Sequence, residues 1–291
     1  MFPAAFDYRA PTSLEEVFEL LQKHGDEAKV MAGGQSLIPL LKLRFARPAL
    51  VIDLGRVPGL VGIETGAGVL TIKARTRHAD VERNPELRQT VAILADAAPQ
   101  ISDPLIRNAG TVGGSLAHAD PAGDWGSVML ALDAELVARS AKGERVIKAE
   151  QFFEGPFTTR LRPDEVLTEI RIRLPKGRAS GTYLKLERKV GDFATVGVAV
   201  QVEMADGKVA RAGIGLTSVG PTNLKASKAE LALEGHEPSE KLIGEVAQIA
   251  AGEAEPKADI RGSVEYKRDI VRVFVKRGLT RAVARAKGVL G

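Results

Sequence analysis

The sequence contains no cysteine. Disulfides, thiolate zinc sites, a cysteine nucleophile and any iron–sulfur cluster held by this chain alone are therefore excluded. Long apolar runs are missing as well. No stretch reaches the ~20 uncharged apolar residues of a membrane span, and the most apolar window, residues 128–137, is broken by Asp133 and Glu135. The opening residues carry acids early and no basic region followed by an apolar one, so no secretory leader is expected. Aromatics make up only 4% and the net charge is only +4. Cations concentrate only in residues 261–291, read as a solvated or subunit-facing helix surface. Without a basic stripe interleaved with aromatics, no nucleic-acid partner is expected. A G-x-S-x-G elbow, a Rossmann G-x-G-x-x-G and a G-x-x-x-x-G-K-[ST] P-loop are also absent. A cytoplasmic location fits the cysteine-free composition.

What is present is 291 residues, 44% apolar and 27% charged, enough for a real core and for two domains or one domain with subdomains. Thr12 and Glu15 have capping-box spacing, and Leu14, Val17, Phe18 and Leu21 share a helical face that Gly25 stops. A strand at 28–31, a Gly-rich turn, a helix at about 37–44 and a strand at 50–53 complete a small α+β unit. Residues 69–74 alternate as a strand, 91–98 read as an apolar helix, and 101–124 read as a long functional loop. A helix at 125–131 and strands at 135–139, 144–148 and 165–174 follow. Residues 175–181 read as a linker. Beyond it, three strands (183–188, 194–204, 208–217, with a turn at Asp206-Gly207) precede three helices (224–233, 241–251, 264–286). Strands followed by helices mean α+β rather than a doubly wound parallel sheet.

Two turns are the informative features. Gly33-Gly34-Gln35-Ser36 lies between a strand and a helix, and Thr111-Val112-Gly113-Gly114-Ser115 lies in the long loop. Paired glycines allow positive φ and close approach of a ligand, and successive N–H groups can converge into an anion-binding nest. Ser36, Thr111 and Ser115 add hydroxyls for phosphate or ribose oxygens. Neither turn contains a cation, which fits ATP hydrolysis poorly. Two such cradles suit the two phosphates of a dinucleotide, although either alone reads equally as a tight structural turn. His118, Asp120 and Asp124 follow the second turn. They allow three readings: metal ligation, hydroxyl binding, or turn and cap chemistry with Asp124 capping the helix at 125. No second cluster sits at ligand spacing, so no metal is expected. His24, His78 and His236 read as isolated surface residues.

Residues 32–36 followed by Leu37-Ile-Pro-Leu-Leu-Lys-Leu-Arg, together with Arg107-Asn-Ala-Gly-Thr-Val-Gly-Gly-Ser115 and Ala119-Asp-Pro-Ala-Gly-Asp124, resemble the FAD-binding medium subunit of molybdenum hydroxylases. The likeness is to the aerobic carbon monoxide dehydrogenase type, with the xanthine dehydrogenase flavin domain more distant. The resemblance implies a two-subdomain FAD-binding domain of the vanillyl-alcohol-oxidase (PCMH) type over 1–176, with subdomains of about 1–55 and 56–176. A small C-terminal flavoprotein domain with a three-stranded antiparallel sheet and helices would follow over 177–287. It implies that Ala32, Gly33, Gly34, Gln35, Ser36 and Leu37, with Thr111, Gly113, Gly114 and Ser115, hold the FAD pyrophosphate and neighbouring sugar. By the same resemblance Asp124 binds FAD hydroxyls, Ile101 and Leu161 line the flavin, and Lys185 and Phe193 lie around its ring.

From the residues alone, Ile101 and Leu161 read equally as core, and Lys185 as a solvent-facing strand residue. No catalytic acid, base or nucleophile is nominated, since the reactive group would be the flavin. The family's iron–sulfur clusters cannot be on this chain, so a [2Fe–2S] small subunit and a molybdenum-cofactor large subunit are the expected partners. The expected assembly is a dimer of heterotrimers, cytoplasmic or associated with the inner membrane face through the complex. Electrons would leave to an external acceptor, whether quinone, NAD or O2. The alternatives are the flavin subunit of a xanthine, aldehyde or aromatic-heterocycle hydroxylase, a non-redox nucleotide-binding module, and a stand-alone flavin oxidase.

Overall fold

The computed structural model describes residues 2–289. Its first unit holds β1 (Asp7–Arg9), α1 (Leu14–His24), β2 (Ala28–Met31), α2 (Leu37–Lys42) and β3 (Leu50–Asp53). The three strands form a parallel sheet in the order β1-β3-β2. Helix α1 buries Val17, Phe18 and Leu21 against it. Its N-cap is Ser13, one residue later than predicted, and the reciprocal bond of a capping box goes to Thr12 instead. Ser13 Oγ accepts from the Glu16 N–H at 3.2 Å, and the Glu16 carboxylate takes the Thr12 N–H at 2.9 Å.

The second unit begins with the hairpin β4 (Ile63–Gly66) and β5 (Val69–Lys73). Six short helices follow: α3 (His78–Arg83), α4 (Pro85–Thr90), α5 (Ala92–Ala97), α6 (Pro104–Arg107), α7 (Val112–His118) and α8 (Asp124–Ala131). Strands β6 (Glu135–Ser140) and β7 (Gly143–Lys148) come next, then α9 (Ala149–Phe152), the small β8 (Phe153–Gly155) and β9 (Thr158–Thr159), and β10 (Val166–Arg173). The main sheet is antiparallel, ordered β4-β5-β10-β6-β7. The predicted loop at 101–124 is therefore corrected, because it carries α6 and α7. Side-chain caps hold both helices: Asp103 accepts from the Ile106 N–H at 2.9 Å and Thr111 from the Gly114 N–H at 3.2 Å.

The third unit is a four-stranded antiparallel sheet of β11 (Arg178–Leu186), β12 (Val196–Ala205), β13 (Lys208–Thr217) and β14 (Leu224–Lys225). Helices α10 (Ser227–Leu233), α11 (Glu240–Glu253) and α12 (Val264–Ala286) follow. The prediction of three strands is corrected to four, since residues 224 and 225 pair with Leu216 and Gly215 before the helix starts. The predicted linker is also shortened, because Arg178 already pairs with Met204.

Both faces of this sheet are covered. Val196, Val198, Val200 and Val202 of β12, with Ile214 and Leu216 of β13, pack against α10, α11 and α12. On the other face α8 rests on β13 backbone to backbone. A Cβ at Gly213 would lie 1.9 Å from the Ala131 carbonyl oxygen, and one at Gly215 2.0 Å from that of Ser127. Tyr183 and Ala199 share a core with Trp125, Val128 and Phe152 of the second unit. Ion pairs of Asp133 with Arg211 and Lys225, and of Arg285 with Asp96, tie the edges together.

Gly215→Ala is expected to force α8 off the sheet. Overpacking typically costs ~1–3 kcal/mol, and a clash with a fixed carbonyl belongs at the upper end, so the melting temperature should fall by roughly 6–12 °C. Gly244→Ala on α11, where a Cβ meets nothing within 4 Å, should leave it unchanged or higher. Calorimetry of the two variants checks both.

Candidate functional site

The first Gly turn leaves β2 at the C-terminal end of a parallel sheet, where ligand crevices form. Gly34 takes φ +73, and Gln35 folds back so that its Nε2 donates to the Gly33 carbonyl at 3.2 Å. The backbone N–H groups of residues 32–36 have no hydrogen-bond acceptor among the described residues. Ser36 stands at the N-cap of α2 without a side-chain cap bond, so its hydroxyl remains available.

The second turn meets the first directly. A Cβ at Gly33 would lie 2.1 Å from the Ala109 carbonyl oxygen and 2.8 Å from the Gly110 Cα. A Cβ at Gly114 would sit 3.7 Å from that of Ala32. The two turns, some eighty residues apart in the chain, are packed together at the seam between the first two units.

They are not equivalent as donors. The N–H of Val112 goes to the Thr76 carbonyl at 2.9 Å, that of Gly113 to the Ala74 carbonyl at 2.8 Å and that of Ser115 to the Thr111 carbonyl at 3.0 Å. The Thr111 hydroxyl takes the Gly114 N–H. The glycines of this turn serve close packing instead: a Cβ at Gly113 would lie 2.5 Å from that of Ala74, and one at Gly110 2.8 Å from His78 Nε2. Open backbone donors are thus concentrated in the first turn, and the second buttresses it.

Further contacts lead from the turns to Lys185. A Cβ at Gly123 would lie 3.8 Å from Ser115 Oγ. The next residue, Asp124, is the first of α8 rather than its cap, which is Gly123. Its Oδ1 accepts from the Tyr183 hydroxyl at 2.6 Å and its Oδ2 from Lys185 Nζ at 3.1 Å. Lys185 also donates to the Gln100 carbonyl at 2.9 Å, beside Ile101. Its side chain is 2% exposed, so the solvent-facing reading is corrected. Burial raises the Asp124 carboxyl above the ordinary carboxylate range, with Lys185 and the Tyr183 hydrogen bond pulling the other way. Gly191 packs on Ser102, which brings the loop carrying the half-exposed Phe193 beside Ile101. Ile101 and Leu161 pack against the same apolar core.

His78 is buried, not a surface residue. The indole N–H of Trp125, which can only donate, meets His78 Nδ1 at 2.9 Å, so the ring is neutral with its proton on Nε2. Burial, helped by Arg107, lowers its pKa to about 4. Of the acids after the second turn, Asp120 accepts from the Ala122 N–H in a turn, while Asp124 pairs inward. Two residues at this site were missed in the sequence: Tyr183, one more apolar-looking position of a strand, and His78, whose partner is 47 residues away.

The donor set fits FAD. A run of unpaired N–H groups with free hydroxyls at Ser36 and Ser115 suits a pyrophosphate and sugar. The buried Lys185, bonded to the Gln100 carbonyl beside apolar Ile101, supplies a cation for the ring.

Comparison with known proteins gives the family. Residues 4–176 match the family model for the FAD binding domain in molybdopterin dehydrogenase, and residues 181–282 that for the CO dehydrogenase flavoprotein C-terminal domain. The carbon monoxide dehydrogenase medium chain of Hydrogenophaga pseudoflava is 38% identical over 98% of this chain and 99% of its own length. The 6-hydroxypseudooxynicotine dehydrogenase complex subunit alpha of Paenarthrobacter nicotinovorans is also 38% identical, over 99% of this chain and 97% of its own. A solved structure of carbon monoxide dehydrogenase from H. pseudoflava, lacking the Mo-pyranopterin moiety, superposes with a TM-score of 0.95 at 40% identity, covering 98% of this chain and 99% of that one. The chain therefore belongs to the FAD-binding medium subunits of the molybdenum hydroxylases, of the carbon monoxide dehydrogenase type.

Proposed function

We propose that the chain is the FAD-carrying electron-transfer subunit of a carbon monoxide dehydrogenase. It would act within a dimer of heterotrimers with a molybdenum-cofactor subunit and a [2Fe–2S] subunit. The observation that carries the cofactor assignment is the joint between the two Gly turns, with its run of unpaired N–H groups. Residues 32–36 would bind the pyrophosphate, Ser36 and Ser115 neighbouring oxygens, and Lys185, Ile101, Leu161 and Phe193 would surround the ring. FAD, when bound, takes up electrons from the partner's cluster and yields them to an external acceptor. Residues 1–176 would form the cofactor domain and 177–287 the C-terminal one.

Among the described residues no helix is long and apolar enough to cross a membrane. We place the complex in the cytoplasm, with any membrane association through its partners. The second reading, a heterocycle hydroxylase subunit, rests on the P. nicotinovorans protein being as similar as the carbon monoxide dehydrogenase chain. The molybdenum substrate would bind on the partner, so the partner decides between the two.

The chain isolated from its native host is expected to co-purify with molybdenum and iron and to keep flavin absorbance after desalting. Dithionite should bleach that flavin and a quinone or dye restore it. Dye reduction by the complex with carbon monoxide, and not with N-heterocycles, supports the first reading. Loss of all flavin on desalting would sink the cofactor assignment.

A further inference from the structure

Behind Lys185 runs a chain of buried polar side chains that the resemblance does not assign. Asn223 Nδ2 donates to the Gly123 carbonyl at 3.1 Å and to Thr217 Oγ1 at 3.3 Å. The Thr217 hydroxyl donates to Ser127 Oγ at 2.6 Å, and both hydroxyls lie beside that of Tyr183. Tyr183 then donates to Asp124, and Asp124 receives Lys185. Thr217 and Ser127 are 0% exposed and Tyr183 1%.

Two glycines make the room. A Cβ at Gly197 would fall 2.3 Å from the Tyr183 hydroxyl, and one at Gly126 1.9 Å from Asn223 Oδ1. Replacing a buried polar network by apolar side chains of similar volume is often neutral in stability, so the contribution of such a network lies in fixing geometry. The geometry it specifies is that of Lys185. The Lys185 ammonium donates to two acceptors, the Gln100 carbonyl and Asp124 Oδ2, and forms an ion pair with Glu187 Oε2 at 3.5 Å.

We propose that Tyr183 is a positioning residue for the redox site. It fixes Asp124, Asp124 fixes Lys185, and the C-terminal sheet thereby sets the preference of the site for reduced over oxidised FAD. The proposal rests on the reading that Lys185 lies beside the bound flavin. A cation held there stabilises the negative charge of the reduced ring, and one that wanders does so less.

The test is the midpoint potential of the full-length chain loaded with FAD, titrated with dithionite against reference dyes, for wild type, Tyr183→Phe, Lys185→Gln and the double variant. Lys185→Gln lowers the potential. Tyr183→Phe lowers it in the same direction, by up to about tenfold in the equilibrium constant for cofactor reduction, which is about 30 mV for a two-electron couple. The double variant falls no further than Lys185→Gln, because the tyrosine acts through the lysine. Thr217→Val, which keeps Tyr183 and removes a hydroxyl beside it, gives a smaller shift of the same sign and serves if Tyr183→Phe does not fold. Should Lys185→Gln keep the wild-type potential, the placement of Lys185 beside the flavin fails and the proposal with it. A shift in Lys185→Gln with none in Tyr183→Phe or Thr217→Val, or additive shifts in the double variant, overturns the proposal alone.

Discussion

Gly33→Ala is expected to yield a folded but flavin-free chain. The added Cβ would stand 2.1 Å from the Ala109 carbonyl oxygen and 2.9 Å from its carbon. Neither is the end of a flexible side chain, so one turn must move away from the other. Displacing packed backbone costs about 1–3 kcal/mol or more. The damage falls on the residues whose N–H groups lack partners among the described residues. A loss of about 3 kcal/mol in binding would weaken FAD roughly a hundredfold. Flavin absorbance after gel filtration, and the dissociation constant from flavin fluorescence, measure it. Gly113→Ala should behave differently. Its Cβ meets Ala74 on the supporting side, so stability falls first and FAD affinity follows. Full FAD content in Gly33→Ala would show that the joint is not where the pyrophosphate sits.

Acidification should destabilise the chain through His78. In the fold its pKa is about 4, because burial disfavours the charged ring, whereas the free ring titrates near 6.5. Below 6.5 the unfolded chain takes up a proton that the folded chain refuses, so the stabilisation is complete above 6.5 and is lost as pH falls toward 4. At 1.36 kcal/mol per pH unit this single group accounts for roughly 3 kcal/mol. A protonated Nδ1 could no longer accept from Trp125, and Nε2 backs Gly110 in the supporting turn. FAD release is therefore expected to accompany the loss of stability. His78→Asn, whose amide oxygen can accept the indole proton without titrating, should flatten the stability profile between pH 6.5 and 4. Urea unfolding at a series of pH values measures this, and an unchanged slope in the variant would rule out His78 as its source.

Much of the architecture was legible in residue patterns. The last helix matches its predicted span, Val264–Ala286. Asp206 and Gly207 take φ +50 and +79, the primed turn their types announce. What escaped was decided by partners distant in sequence. Residues 112–118 look unlike a helix because two glycines interrupt them, yet Thr111 caps that helix and Gly113 seats it on Ala74. Two residues, Leu224 and Lys225, are too few to show strand alternation, and only pairing with β13 reveals them. At the site, the glycine motifs could be located in the sequence, whereas the inward pairing of Asp124 with Tyr183 and Lys185 could not. Nor could the N–H groups that remain unpaired, since Thr76 and Ala74, which silence the second turn, lie on another strand's extension. Lys185 looked exposed because its two acceptors, on Gln100 and Asp124, come from elements that sequence alone does not bring together.

The seating of α8 on β13 bears on the order of events during synthesis. Helix α8 leaves the ribosome before any residue of the strand that covers it, and Tyr183 and Ala199, which complete its core, also emerge after it, ahead of that strand. Arg285, near the end of the last helix, closes onto Asp96. A nascent chain cut short after β10 would carry an open apolar flank, a natural handhold for chaperones, and cofactor loading should wait until translation is all but finished.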